Sequence, residues 1–134
     1  MKNKVQIVNL NVIKNRSGSI YKYLDKKKSY FKKPAEIYFS EIKKNKIKGW
    51  ILHKKNTCFL AVIHGNVQFK LKDKLNEKII TIKISPKNYK LIIVPPKNSF
   101  MFRGIAKNSI IINSIQQLHD SKESVKSPYK KNEQ

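Results

Sequence analysis

The chain is written in short apolar runs that alternate with polar residues at a period of two. In "NVQFKLKD" Val67, Phe69 and Leu71 alternate with Gln68, Lys70 and Lys72, and "IITIKIS" repeats the pattern with Ile80, Ile82 and Ile84. Near the start, "VQIVNLNVI" sets Val8, Leu10 and Val12 against Asn9 and Asn11. Successive side chains of a strand point to opposite faces, so each run reads as a strand with one buried face. "IYKYL", "AEIYFSEI", "IKGWILH", "CFLAVIHG", "YKLIIVPP", "SFMFRG" and "SIIINSI" are equally rich in β-branched or aromatic residues. They bring the number of strand signals to about ten, each bounded by turn residues. No window keeps the i, i+3, i+4, i+7 spacing of an amphipathic helix. Short strands at turn-marked intervals predict an all-β protein, an antiparallel sandwich or barrel with a jelly roll as the first candidate.

From His119 onward the pattern stops. "HDSKESVKSPYKKNEQ" is polar and charged without period. The expected division is therefore a jelly-roll domain over 1–118 and a polar C-terminal tail over 119–134, mobile beyond its first residues. The 134 residues suffice for one domain with a real core, and 40% hydrophobic content argues against a disordered chain. A single cysteine, Cys58, allows no intramolecular disulfide and no cysteine-cluster zinc site. "MKNKVQIVNLNV" has no long apolar core or small-residue cleavage site, and no apolar run approaches a membrane span. A soluble cytoplasmic protein with no membrane contact is the expectation. The formal net charge of +22 raises the question of nucleic acid, yet of 30 basic residues only Arg16 and Arg103 are arginine. Base-edge readers lean on arginine forks and stacked aromatics, and here lysines are spread along the whole chain. A basic β-barrel that binds nucleic acid through "KKKSYFKK" stays as a lesser alternative.

"KGWILHKKNTCFLAVIHGNVQF" carries the candidate chemistry. By alternation Gly49, Ile51 and His53 share one strand face, and Trp50 and Leu52 the other. The stretch resembles the nucleotide-sugar cupins, the dTDP-4-dehydrorhamnose 3,5-epimerases and the dTDP-sugar 3,4-ketoisomerases. Their pattern is Arg-Gly, a histidine two residues on, often another two further, then a β-run that ends at a turn glycine. Lys48-Gly49 stands where the family has Arg-Gly, His53 falls on the second histidine position, and Gly65 takes the turn. "LIIVPPKNSFMFRGI" resembles the family's proline strand and "INSIQQLHDSKE" its closing strand, so the likeness covers about residues 36–123. Four departures stand out. Ile51 occupies the first histidine position, Cys58 the place of a ketoisomerase glutamine, and Phe100-Met101 that of a histidine or tryptophan. The epimerases' tyrosine finds no match in "INSIQQLH".

The resemblance implies a cupin-type jelly-roll barrel, a homodimer formed partly through N-terminal strands, and action on a nucleotide-linked 4-keto-6-deoxysugar in surface polysaccharide biosynthesis. The chemistry is proton abstraction next to the C4 carbonyl, which needs a base and a partner for the enediolate oxygen. His53 is the catalytic candidate. The substrate-binding candidates are Lys48 and Arg103 as charge partners, Tyr38 as hydroxyl donor or stacking group, and Cys58 at the glutamine position. Each has a plainer reading beside it: His53 a hydrogen-bonded strand-end histidine, Lys48 a solvated lysine, Cys58 a small core residue. His64 belongs to a turn, and His119-Asp120 to the solvated tail. A metallocupin needs three or more ligands where this chain offers His53 alone, so no metal and no other cofactor is expected. Two further readings remain open: a cupin that binds a sugar nucleotide or a protein without turnover, and the nucleic-acid barrel.

Overall fold

The computed structural model describes residues 3–75 and 77–133. In chain order its strands are β1 (Gln6–Asn9), β2 (Val12–Ile13), β3 (Ile20–Tyr21), β4 (Glu36–Lys43), β5 (Ile47–His53), β6 (Cys58–His64), β7 (Val67–Lys72), β8 (Ile79–Ile84), β9 (Lys90–Val94), β10 (Ser99–Gly104), β11 (Asn108–Ile115) and β12 (Ser124–Lys126). A 3-10 turn over Lys131–Glu133 is the one helical element among the described residues, and none is long and apolar enough to cross a membrane. One five-stranded sheet has the order β1-β9-β6-β11-β4, a second the order β12-β5-β10-β7-β8, and β2 and β3 form a separate ribbon. From β4 to β12 the chain changes sheet at every link except the β7–β8 hairpin. That back-and-forth path between two antiparallel sheets is the jelly roll that the alternation predicts.

The period-two pattern decides the core. Val67, Phe69 and Leu71 are fully buried between the sheets, while Gln68, Lys70 and Lys72 face outward. Leu60, Val62, Ile92, Ile111, Ile115 and Phe102 join them from the neighbouring strands. Each such side chain contributes roughly 1.5–3 kcal/mol by leaving water. Gly65 has φ +84°, the left-handed conformation glycine permits, and makes the turn between β6 and β7.

Two stretches depart from the sequence pattern. The run from Val5 to Ile13 reads as one strand but leaves the first sheet after Asn9. It carries apolar residues on both faces: Val5 and Ile7 enter the main core, while Val8 and Leu10 pack on the sheet's outer side. There they cover a second cluster of Phe59, Leu91 and Ile93, together with Tyr23, Leu24 and Tyr30. The stretch 119–134, expected as a mobile tail, contains β12, which pairs with β5 along its free edge. The backbone groups of Ser127 and Trp50 exchange two hydrogen bonds of 2.9 Å, and Trp50 Nε1 donates to Glu133 Oε1 at 3.1 Å. Its anchors are a buried carboxylate and an indole N–H rather than a periodic apolar face. A hydrophobicity pattern does not register such anchors.

Candidate active site

The two sheets part between the edge strand β4 and the β5–β12 pair, leaving a cavity of about 470 Å³. Its apolar floor is Ile51, Leu60, Phe100, Phe102 and Ile111, and its polar groups are Tyr38, Lys48, His53, Asn113, His119 and Lys126. The way β5 presents its residues depends on a bulge. Phe100 and Phe102, two apart on β10, pair with Ile51 and Lys48, three apart on β5. The extra residue turns Lys48 onto the same face as Ile51 and His53, whereas strict alternation puts it beside Trp50. Gly49 makes this possible. Its φ is +112°, and a Cβ there would lie 2.7 Å from Phe100 O.

His53 is buried on the cavity wall with its ring parallel to Phe100, centroids 6.3 Å apart. Its Nδ1 lies 2.6 Å from Glu123 Oε1. The same carboxylate accepts hydrogen bonds from Lys55 N at 3.1 Å and Asn56 Nδ2 at 2.8 Å. Burial pushes the Glu123 carboxyl up, but the hydrogen bonds from His53, Lys55 and Asn56 outweigh it and hold it at about 2. Glu123 is therefore ionised at neutral pH, His53 Nδ1–H donates to it, and Nε2 is the ring nitrogen left with a lone pair. A histidine fixed in one tautomer by a buried carboxylate has the arrangement that general-base catalysis requires.

Tyr38, on the inner face of β4, supplies the complementary group. Asn113 Oδ1 accepts from Phe59 N at 3.0 Å, which fixes the amide, and Asn113 Nδ2 donates to the Tyr38 hydroxyl at 2.9 Å. With its oxygen already accepting, the tyrosine has its own proton free to give. Burial, with a smaller contribution from Cys58, pushes its pKa up to about 12, so it remains a neutral donor.

Among the residues singled out from the sequence, His53, Lys48 and Tyr38 meet at this cavity. Lys48 Nζ donates to Glu41 O at 2.7 Å across the gap to β4. Arg103 does not line the cavity: it alternates with Phe102 to the outer face of β10, and its Nη2 donates to Gln68 Oε1 at 3.3 Å. Cys58 does not line it either. It is fully buried in the main core, and burial pushes its thiol up to about 12. Glu123, Asn113 and Lys126 escaped the sequence reading, and His119, read there as part of the solvated tail, lines the cavity. For Glu123 a signal existed: with only 8 acidic residues against 30 basic ones, each carboxylate is worth a question. No group of three or more His, Cys, Asp or Glu residues that could hold a metal occurs among the described residues.

A protein-family model described as FdtA: WxcM-like, C-terminal, matches residues 3–130. No curated protein sequence shows a match to the chain. Among solved structures the chain is similar to a dTDP sugar isomerase from Desulfovibrio desulfuricans, with 25% identity over 92% of this chain and 83% of that one and a TM-score of 0.85. It is similar to QdtA, a sugar 3,4-ketoisomerase from Thermoanaerobacterium thermosaccharolyticum in complex with TDP, with 16% identity over 95% and 90% of the two chains and a TM-score of 0.78. It is likewise similar to the 3,5-epimerase RmlC from Legionella pneumophila in complex with dTDP-4-keto-L-rhamnose, with 12% identity over 93% and 73% and a TM-score of 0.82. At these last two identities the likeness is one of fold.

Proposed function

The chain belongs to the FdtA family of WxcM-like, C-terminal domains, and from that premise we propose that it is an isomerase or epimerase of a nucleotide-linked, dTDP-type 4-keto-6-deoxysugar. The observation that carries this reading is the buried His53–Glu123 pair, 2.6 Å apart, on the wall of a cavity of substrate size. The likeness to a dTDP sugar isomerase supports it. His53 Nε2 takes the proton from the carbon beside the C4 carbonyl, and the electron pair of that C–H bond moves onto the carbonyl oxygen. The Tyr38 hydroxyl donates to the resulting enolate oxygen. Lys48 and Lys126 are the positive groups for the diphosphate. Return of the proton to the same carbon from the opposite face gives epimerisation. Its return to C4, with the C3 hydroxyl proton passing to the C4 oxygen so that the ketone is left at C3, gives the 3,4-ketoisomer. Ile51 supplies an apolar wall where related enzymes carry a first histidine. Surface polysaccharide synthesis in the cytoplasm is the setting this chemistry suggests, and an unpaired Cys58 fits a reducing compartment. The exposed outer face of β4, with Phe39 62% and Ile37 47% accessible, supports a homodimer.

The test is incubation with dTDP-4-keto-6-deoxyglucose in heavy water, with the sugar protons followed by NMR. Deuterium is expected beside C4, or a shifted keto group, and His53→Asn is expected to slow this about 10²–10⁴-fold. Binding of the nucleotide sugar without any exchange overturns the enzyme reading and leaves a non-catalytic sugar-nucleotide cupin.

A further inference from the structure

Asn56 lies in the turn between β5 and β6 and is completely buried. Its side chain uses all of its hydrogen-bonding capacity on two other chain segments. Oδ1 accepts from Gln116 N at 3.1 Å and Gln117 N at 2.9 Å, while Nδ2 donates to Gln117 O at 3.2 Å and to Glu123 Oε1 at 2.8 Å. The two backbone N–H groups fix the oxygen on their side, so the NH₂ must face Glu123. Oε1 of Glu123 is thus shared between Asn56 Nδ2–H and His53 Nδ1–H. We infer that Asn56 is a positioning residue for proton transfer: it holds the Glu123 carboxylate in the one orientation in which His53 keeps its proton on Nδ1 and presents Nε2 to the substrate. This rests on His53 acting as the base. It also explains how a short polar C-terminal segment can supply a catalytic partner. Asn56 ties the end of β11 and the entry to β12 to the turn that follows His53, so the three cannot drift apart independently.

The groups that face His53 from the surrounding elements are Glu123, Tyr38 on β4, and Lys48, His119 and Lys126 on the cavity wall, while Cys58 lies in the core and does not line the cavity. Tyr38 and Cys58 stay neutral throughout the useful pH range. His53 and His119 each give imidazole resonances, which are assigned separately.

The substitution that separates positioning from mere support is Asn56→Asp. It is nearly isosteric and keeps an acceptor for Gln116 N and Gln117 N, but replaces the donor to Glu123 with an oxygen. An imidazole is more basic than a carboxyl by about two units, so the proton shared by the new cluster resides mainly on His53. The His53 titration midpoint, read by NMR without substrate, is expected to rise by at least about one pH unit. The ascending limb of the pH–rate profile is expected to move with it. A lower rate at every pH with an unmoved midpoint overturns the inference. A second measurement needs no variant: in the unmodified protein the Asn56 side-chain NH₂ signals are expected to exchange slowly and to shift with the His53 midpoint. Signals that stay invariant through that titration also overturn it. A moved midpoint in a protein that exchanges no substrate proton sinks the isomerase reading and leaves the Asn56–Glu123–His53 coupling standing.

Discussion

At the scale of single residues the site is organised by fixed hydrogen-bond donors. The Phe59 and Lys55 backbone N–H groups orient Asn113 and Glu123, and these orient Tyr38 and His53. The consequence for stability has a definite sign. The Glu123 carboxyl sits at about 2 in the fold against an ordinary 4.5, so folding favours its ionised form. The stability it contributes is fully present above pH 4.5 and is lost as the pH falls towards 2. Glu123→Gln removes this contribution, a few kcal/mol in size. Thermal unfolding of the two proteins is therefore expected to differ most near neutrality and to converge as the pH approaches 2. A gap that stays constant down to pH 2 would contradict the assignment. His53 was legible in the sequence from its place in "KGWILH". Its pairing with Glu123 was not, because seventy residues of chain separate the partners and only the fold joins them.

At the scale of elements the bulge in β5 does most to shape the cavity. Alternation correctly separates Trp50 from Ile51 and His53, but it misplaces Lys48 because the period slips by one residue at Gly49. Gly49 is therefore a sharp point of failure. An added Cβ meets Phe100 O at 2.7 Å and the Met101 Cα and Cβ at 2.8 Å, in a backbone conformation unfavourable to other residues. Gly49→Ala is expected to destabilise the protein by roughly 2–4 kcal/mol, measured by denaturant unfolding. It is also expected to weaken nucleotide-sugar binding, since Lys48 and His53 flank the distorted segment. An alanine variant with unchanged stability and affinity would show that the bulge relaxes freely.

At the scale of the whole molecule the dominant quantity is the net charge of +22. The lysines lie on strands as well as in loops, with Lys70 and Lys72 on the outer face of β7 and Lys26, Lys27 and Lys28 in a loop, so they make a broad positive field and not one focused patch. Such a field favours a nucleoside-diphosphate ligand at long range, and salt screens it over a Debye length of about 8–10 Å near physiological strength. Lys48 and Lys126 act at close quarters on the cavity wall and are screened less. Affinity for TDP, measured by calorimetry, is expected to fall about tenfold between 50 mM and 500 mM salt. Lys126→Gln is expected to lower affinity at every salt concentration. If it instead leaves high-salt affinity unaltered, the local contact is absent and only the general field attracts the nucleotide.

The sequence alone determined the class of fold, because burial of alternate residues is a local property of each strand and the pattern repeats along the chain. It also determined the inward faces of β7 and β8, the turn at Gly65, and the likeness to nucleotide-sugar cupins through the stretch around His53. Tertiary structure decided the rest. It put Arg103 on the outside and Cys58 in the core, folded the polar C-terminal segment back as β12, and gave His53 its carboxylate. The reason is physical. Hydrophobic periodicity records which side of a strand leaves water, whereas a catalytic pair depends on which distant donors and acceptors come within hydrogen-bonding distance, and that is fixed only when the sheets close on each other.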